Sequence, residues 1–299
     1  MQAKHYPGKL TRAARRLAEL LEENGKPVLT QFDFFRMIWR IYRESSGKRL
    51  YLRNDTPGRD DYDRLKSILQ KARVVGRDRD YRARGIRVLT IPDLPAEDII
   101  CLVDPTCYLS HLSAMQRWGL TDRSPKALLL TRPDRKTATS RILAYRKEAL
   151  GEDEDNPFLS KTVRHPPRVR RRDVHVYESK AVGAFLKNRG SEIRLATVGQ
   201  TFLDMLQRPD LCGGMSHVLD AWEEHAEIYL DEIVAAVDTA TSGLAKSRAG
   251  YILEERLGLH HRGIDHWKAL AQRGGSRKLD PAKDFAPTFS EKWMISLNV

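Results

Sequence analysis

Three cysteines in 299 residues (Cys101, Cys107 and Cys212), with no CxxC pair among them, leave little from which to build a disulfide framework or a structural zinc site. Long apolar runs are missing as well: no stretch approaches the ~18 consecutive apolar residues of a membrane span. The opening Met1-Gln2-Ala3-Lys4-His5-Tyr6-Pro7-Gly8 has none of the apolar core of a secretory signal, so a cytoplasmic protein with reduced thiols is expected. No GxGxxG and no GxxxxGK(S/T) phosphate cradle occurs, which sets aside the dinucleotide and P-loop folds. Internal repeats and low-complexity segments are absent too.

What is present is material for a core and an uneven charge. Hydrophobic residues are 41% of the chain and charged residues 31%, so a core can be buried under a hydrated surface. The length suits about two domains of ~100–200 residues. Net charge is +12, yet residues 1–90 hold 22 Lys+Arg against 11 Asp+Glu, while the other 209 residues hold 30 against 29. The excess therefore sits in the first third, which points to a polyanion partner for that part alone. A merely solubilising basic surface is the alternative.

Periodicity predicts three helices there. Leu10, Ala13, Ala14, Leu17, Leu20 and Leu21 recur at helical spacing until Gly25-Lys26-Pro27 stops them. Phe32, Phe35, Trp39 and Tyr42 mark a helix over 31–42, with Arg36, Arg40 and Arg43 on its outer side. Lys48 to Leu52 alternates like a short strand. Thr56-Pro57 then reads as a cap and first residue of a helix over 57–72, buried through Tyr62, Leu65, Ile68, Leu69 and Ala72. Val74-Val75, an arginine-rich tip over 76–85 and a strand over 86–91 complete the order of a winged helix–turn–helix. In that arrangement Arg59, Arg64, Lys66 and Lys71 would serve the groove helix, and Arg77, Arg79, Arg82 and Arg84 the phosphates beside it. Asp78 and Asp80 neutralising the neighbouring arginines is the bland alternative.

Pro92-Asp93-Leu94-Pro95 marks a boundary between a 1–95 DNA-binding domain and a 96–299 domain. Beyond it a strand over 127–131, a helix over 135–150, an acidic loop over 151–156 and a strand over 174–177 suggest a mixed α/β layer. Arg168 to Arg172 reads as an exposed basic strand edge. The last third reads as helical: 201–207, a long helix over 215–238 and another over 244–257. The overall class is α+β. The 215–238 segment holds seven acidic residues and no Lys or Arg between 218 and 238, so Glu223, Glu224, Glu227 and Asp231 are candidate partner contacts.

Other constellations favour structure over chemistry. Ser110-His111 suggests a nucleophile and base, but neighbours on a helix diverge by ~100°, so helix capping is the expected role. Asp204 lies among Phe202, Leu203 and Leu206 and is expected to pair with a nearby base or backbone group. Gly213-Gly214 follows a helix and is explained by a turn. His260, His261, Asp265 and His266 match no standard ligand spacing. No catalytic residue, metal or cofactor is expected.

Three stretches carry a family resemblance. The first is Asp104-Pro105-Thr106-Cys107-Tyr108-Leu109-Ser110-His111-Leu112-Ser113-Ala114-Met115 with Trp118-Gly119-Leu120-Thr121. The second is Leu195-Ala196-Thr197 through Thr201-Phe202-Leu203-Asp204-Met205-Leu206 to Arg208-Pro209 and Gly213-Gly214; the third is Ser247-Arg248-Ala249-Gly250-Tyr251. In order and spacing, and in the ending Trp293-Met294-Ile295-Ser296-Leu297-Asn298-Val299, the chain resembles the AbiEi-type antitoxins of bacterial abortive-infection (type IV) toxin–antitoxin systems. The resemblance implies a non-enzymatic phage-defence protein that represses its own promoter by binding repeats in double-stranded DNA. It also implies that 96–299 neutralises a cognate nucleotidyltransferase toxin, directly or functionally. The rivals are a ligand-responsive transcriptional regulator without a toxin, and a DNA-binding nuclease. The nuclease should show paired carboxylates with a lysine at metal-site spacing, which the best acidic segment lacks.

Overall fold

The computed structural model describes residues 9–44, 50, 52, 55–150, 163–271 and 277–299. The strand expected over 48–52 and the acidic loop over 151–156 lie largely or wholly outside them. In chain order come α1 (Arg12–Asn24), β1 (Val28–Thr30), α2 (Gln31–Glu44), α3 (Arg59–Lys71), β2 (Val75–Asp78), β3 (Arg82–Val88) and α4 (Ala96–Val103). Then follow β4 (Tyr108–Leu109), α5 (His111–Trp118), β5 (Ala127–Pro133), α6 (Arg135–Leu150), β6 (Arg168–Val169), β7 (Arg172–Ser179), β8 (Phe185–Lys187) and β9 (Arg194–Ala196). The chain finishes with α7 (Val198–Gln207), α8 (Met215–His225), α9 (Leu230–Asp238), α10 (Gly243–Gly250) and the short pair β10 (Phe289–Ser290) and β11 (Ile295–Ser296). The architecture is α+β. No helix among the described residues is long and apolar enough to cross a membrane.

Two compact units share this chain. The first comprises 1–107, 132–174 and 178–180; the second comprises 108–131, 175–177 and 181–299. A cut at 95/96, as read from Pro92 to Pro95, does not follow these units. The reason is packing: α6 returns to α2, with Tyr145 edge-on to Phe32 at 6.1 Å, and Leu150 enters the same core.

In the first unit, Thr11 caps α1 by accepting the Ala14 N–H (3.2 Å), and Gly25 closes it at φ +66°. Leu17, Leu21, Phe34, Phe35, Ile38, Tyr62, Leu65 and Leu69 form the core between α1, α2 and α3. Each such fully buried Leu or Phe contributes roughly 1.5–3 kcal/mol. The strands pair antiparallel in the order β1-β3-β2, with Val28 opposite Arg87 and Val75 opposite Val88. α3 starts at Arg59 with Gly58 as its N-cap, two residues later than Thr56-Pro57 suggested, because the Gly58 N–H is held by Asp61 Oδ2 at 3.3 Å.

The second unit holds strands in the order β5-β4-β9-β8, with β4 antiparallel to β5 and parallel to β9. Its helices pack around Phe202, Trp222, Trp267 and Trp293. The helix expected over 215–238 is instead two, α8 and α9, broken at 226–229. The break places Asp231 and Glu232 in the first turn of α9, where the positive helix end favours them, and brings Tyr229 to 6.2 Å from the Phe202 ring. The segment expected as a helix over 244–257 is α10 continued by a π turn over Tyr251–Arg256.

Candidate functional site

The residues predicted for the groove helix meet different fates on α3. Arg59 is exposed and pairs with Asp63 at 3.1 Å. Arg64 is turned inward to the buried Asp61 at 2.7 Å. Lys66 lies over the Tyr62 ring at 5.2 Å, and burial lowers its pKa. Lys71 is exposed and pairs with no acidic group among the described residues.

The hairpin of β2 and β3 is more uniform. Arg77, Arg79, Arg82 and Arg84 are all exposed. Arg77 and Arg82 have no ion pair among the described residues, Arg79 reaches Asp93 at 3.4 Å, and Arg84 donates to the Arg164 carbonyl at 3.4 Å. Arg87 differs: it is partly buried and donates to the Pro27 and Ile91 carbonyls, which makes it a structural residue. Gly85 is required, since a Cβ there would stand 2.9 Å from Tyr81 Cβ and 3.0 Å from Asp78 Cβ.

The main partner of Asp78 and Asp80 is not a neighbouring arginine of the tip, although Arg79 lies 3.9 Å from Asp80. That partner is Arg170, between β6 and β7: its Nη2 lies 2.6 Å from Asp78 Oδ2 and 3.0 Å from Asp93 Oδ1, its Nη1 meets Asp80, and its backbone N–H donates to Asp80 at 3.0 Å. Burial would raise the pKa of Asp78, but hydrogen bonds from Arg170 and from the Tyr81 and Asp80 N–H groups hold it below the usual carboxylate range. Arg168, Arg171 and Arg172 are exposed and β6 is an edge strand, as expected; the segment departs from that reading only at Arg170. It is a hairpin whose two-residue turn, Arg170-Arg171, has φ +47° and +66°, with the Arg170 side chain only 5% exposed. Such turns favour Asn and Gly, so two arginines here cost about 1 kcal/mol each, offset at Arg170 by its carboxylates. Nothing in the run of arginines distinguished Arg170.

A buried post stands under the hairpin. The Tyr81 hydroxyl meets His165 Nδ1 at 2.8 Å, and His165 Nε2 meets Asp104 Oδ2 at 3.1 Å. Asp104 also accepts from the Thr106 N–H and hydroxyl. Burial would raise the Asp104 pKa; the His165 hydrogen bond and charge hold it low. Asp104, Cys107 and His165 bring ligand atoms within 4.8 Å of one another, a donor set that zinc accepts but one short of a closed tetrahedron. All three are already hydrogen-bonded.

The outer arginines of α2 line a cleft of about 490 Å³ with Asn24, Trp39 and Glu44. The buried Trp39 Nε1 and Asn24 Nδ2 have no hydrogen-bond partner there among the described residues.

In the second unit the three family-like stretches converge. Ser110 stands at the N-cap position of α5 without making a capping bond. Its Oγ meets His111 Nδ1 at 2.8 Å and accepts from Thr131 at 2.8 Å. The ~100° helical divergence does not apply, because His111 sits at φ +50°. Burial lowers its pKa to about 4. Both residues are at most 2% exposed, so they present no surface to a substrate. Among the described residues Asp204 is paired with no base: its Oδ1 accepts from Gln200 Nε2 at 2.7 Å, its buried Oδ2 has no hydrogen-bond partner, and burial raises its pKa to about 7. The buried Arg248 donates to the Leu206 carbonyl (2.6 Å) and the Lys278 carbonyl (2.8 Å). Gly250 lies under Trp293, whose ring a Cβ would meet at 2.2 Å.

Glu223, Glu224, Glu227 and Asp231 are all exposed. Glu223 pairs with Arg256 at 2.5 Å and Asp231 with His261 at 3.2 Å, while Ile228 among them is 71% exposed. The histidines do not gather: His266 takes Asp238 and His261 takes Asp231.

No protein-family model and no curated protein matches the chain. Among solved structures, the crystal structure of RV2827C protein from Mycobacterium tuberculosis aligns at a TM-score of 0.49 and 12% identity, over 97% of this chain and 92% of that one.

Proposed function

We propose that this chain is a DNA-binding antitoxin of the AbiEi type, which represses its own promoter and opposes a cognate nucleotidyltransferase toxin. One observation carries the DNA-binding half. After α1-β1-α2-α3, the β2–β3 hairpin keeps its acidic residues engaged internally and leaves Arg77 and Arg82 exposed and unpaired among the described residues. On this reading the unit is a winged helix–turn–helix: α3 enters the major groove and the hairpin follows adjacent phosphates. With about 5–8 phosphates contacted, affinity falls with salt at a log–log slope of about −4.5 to −7. The test is binding of the full chain to a duplex from its own upstream region, against a scrambled duplex, over a salt series. Equal affinity for the two would remove the repressor role.

The antitoxin half rests on the sequence resemblance over 104–260. Glu223, Glu224, Glu227 and Asp231 are exposed, lie on either side of the exposed Ile228 in the sequence and suit a basic partner surface. Co-expression with the neighbouring toxin gene tests it. Protection of growth that survives reversal of these four charges would place the contact elsewhere. Neither job requires catalysis.

A second reading, a ligand-responsive regulator, is favoured by the arginine-lined cleft on α2. It is supported if inorganic phosphate or a carboxylate shifts DNA affinity while no protection against the toxin is found.

A further inference from the structure

The tip of the hairpin, from Arg77 to Arg84, carries four arginines and two aspartates, and Asp93 stands beside it. Left to themselves these carboxylates would bind the tip's own arginines or repel a phosphate backbone. Arg79 shows the competition: it lies 3.9 Å from Asp80 and 3.4 Å from Asp93. Yet the dominant partner of all three carboxylates is Arg170, which comes from a hairpin about ninety positions further along the chain.

We infer that Arg170 is a positioning residue of the DNA-binding hairpin, one that draws the charge of Asp78, Asp80 and Asp93 inward so that the tip meets DNA as a positive surface. This rests on the DNA-binding reading above. Two features make the assignment specific. Asp78 Oδ1 accepts the backbone N–H groups of Asp80 and Tyr81, at 3.0 and 2.9 Å, so the carboxylate that Arg170 grips also shapes the turn that presents Arg79 and Arg82. A planar guanidinium alone has the donor geometry to serve three carboxylates at once; a lysine ammonium at the same place is a single point charge. The consequence is that the DNA-binding surface is not complete within residues 1–95. It needs a residue from the 168–172 hairpin of the same compact unit.

The experiment compares full-length wild type, R170Q, D80N/D93N and R170Q/D80N/D93N, each checked for a native circular-dichroism spectrum, on upstream and scrambled duplexes across a salt series. R170Q is expected to weaken binding to both duplexes roughly ten-fold at moderate salt and to flatten the salt slope, because phosphate contacts are sequence-independent. The triple variant is expected to regain most of the loss, and D80N/D93N to bind no more weakly than wild type. A merely structural role would not be rescued by removing charge. If R170Q does not fold, R170K replaces it, with a smaller loss and the same rescue. Folded R170Q or R170K that binds like wild type, or a folded triple variant without rescue, overturns the inference and leaves the DNA-binding reading standing. Wild type that binds neither duplex overturns both.

Discussion

Ser110 and His111 are adjacent in the chain, yet their side chains hydrogen-bond at 2.8 Å, because His111 adopts a left-handed backbone at φ +50°. A histidine held there signals that its surroundings over-determine the conformation. Those surroundings are visible: Thr131 on Ser110, and the Tyr177 ring edge-on to His111 at 5.5 Å. The motif that looks like a nucleophile and base is a buried joint between β4 and α5.

Comparing two substitutions isolates that backbone strain. His111→Gly and His111→Ala both remove the ring, but only alanine retains a Cβ at positive φ. Urea denaturation is expected to find the glycine variant more stable by about 1 kcal/mol. Equal stability would mean that the left-handed conformation is not retained.

Asp204 makes stability depend on pH in an unusual direction. Burial raises its pKa in the folded state to about 7, against an ordinary 3.8. Between those values the folded chain binds a proton that the unfolded chain has lost, so its contribution to stability falls as pH rises towards 7 and levels off above. Asp204→Asn should remove this slope. The wild-type-minus-variant difference should therefore change by on the order of a few kcal/mol between pH 4 and pH 8. Parallel pH profiles would show that Asp204 titrates normally.

Exposed and inward-turned arginines of the DNA-binding unit should separate cleanly. Arg82→Ala is expected to reduce the salt slope of DNA binding by about 1 and to change stability by less than about 0.5 kcal/mol. Arg64→Ala should instead leave the slope nearly unchanged. It should destabilise the fold by about 1–2 kcal/mol, since Asp61 is buried, with the effect moderated by solvent at the partly exposed Arg64. The reverse assignment of the two effects would place Arg64 on the phosphates.

Gly250 and Trp293 form a matched pair. Gly250→Ala drives a methyl into the indole and should cost about 1–3 kcal/mol, even though alanine favours a helix. Trp293→Ala opens a cavity and should cost about 3–5 kcal/mol. The double variant, in which the cavity receives the methyl, should lose less than the sum in thermal denaturation.

Much of the frame was legible because its causes are local. Leu17 and Leu21 recur with the helical period, Gly25 ends α1, and α6 runs over 135–150 as expected. The concentration of positive charge before residue 90 is a property of composition alone. The break between α8 and α9 was not legible, because a continuous apolar stripe from Leu219 to Val237 suits one helix as well as two; packing of Tyr229 on Phe202 distinguishes them. Arg64 and Arg82 look alike in the sequence, and only burial of Asp61 tells them apart.

By itself, then, the chain's order of residues determined where most of the helices lie, which third is basic, and which side chains are apolar enough to be buried, since each follows from neighbours within a turn or two. Tertiary structure decided which charges remain available. Arg170 meets Asp78 across 92 positions, the Tyr177 ring stands edge-on to the strained His111, and Arg248 reaches the Leu206 carbonyl, because ion pairs and strained backbones are set by which segments pack together. No local pattern of residue types encodes that choice.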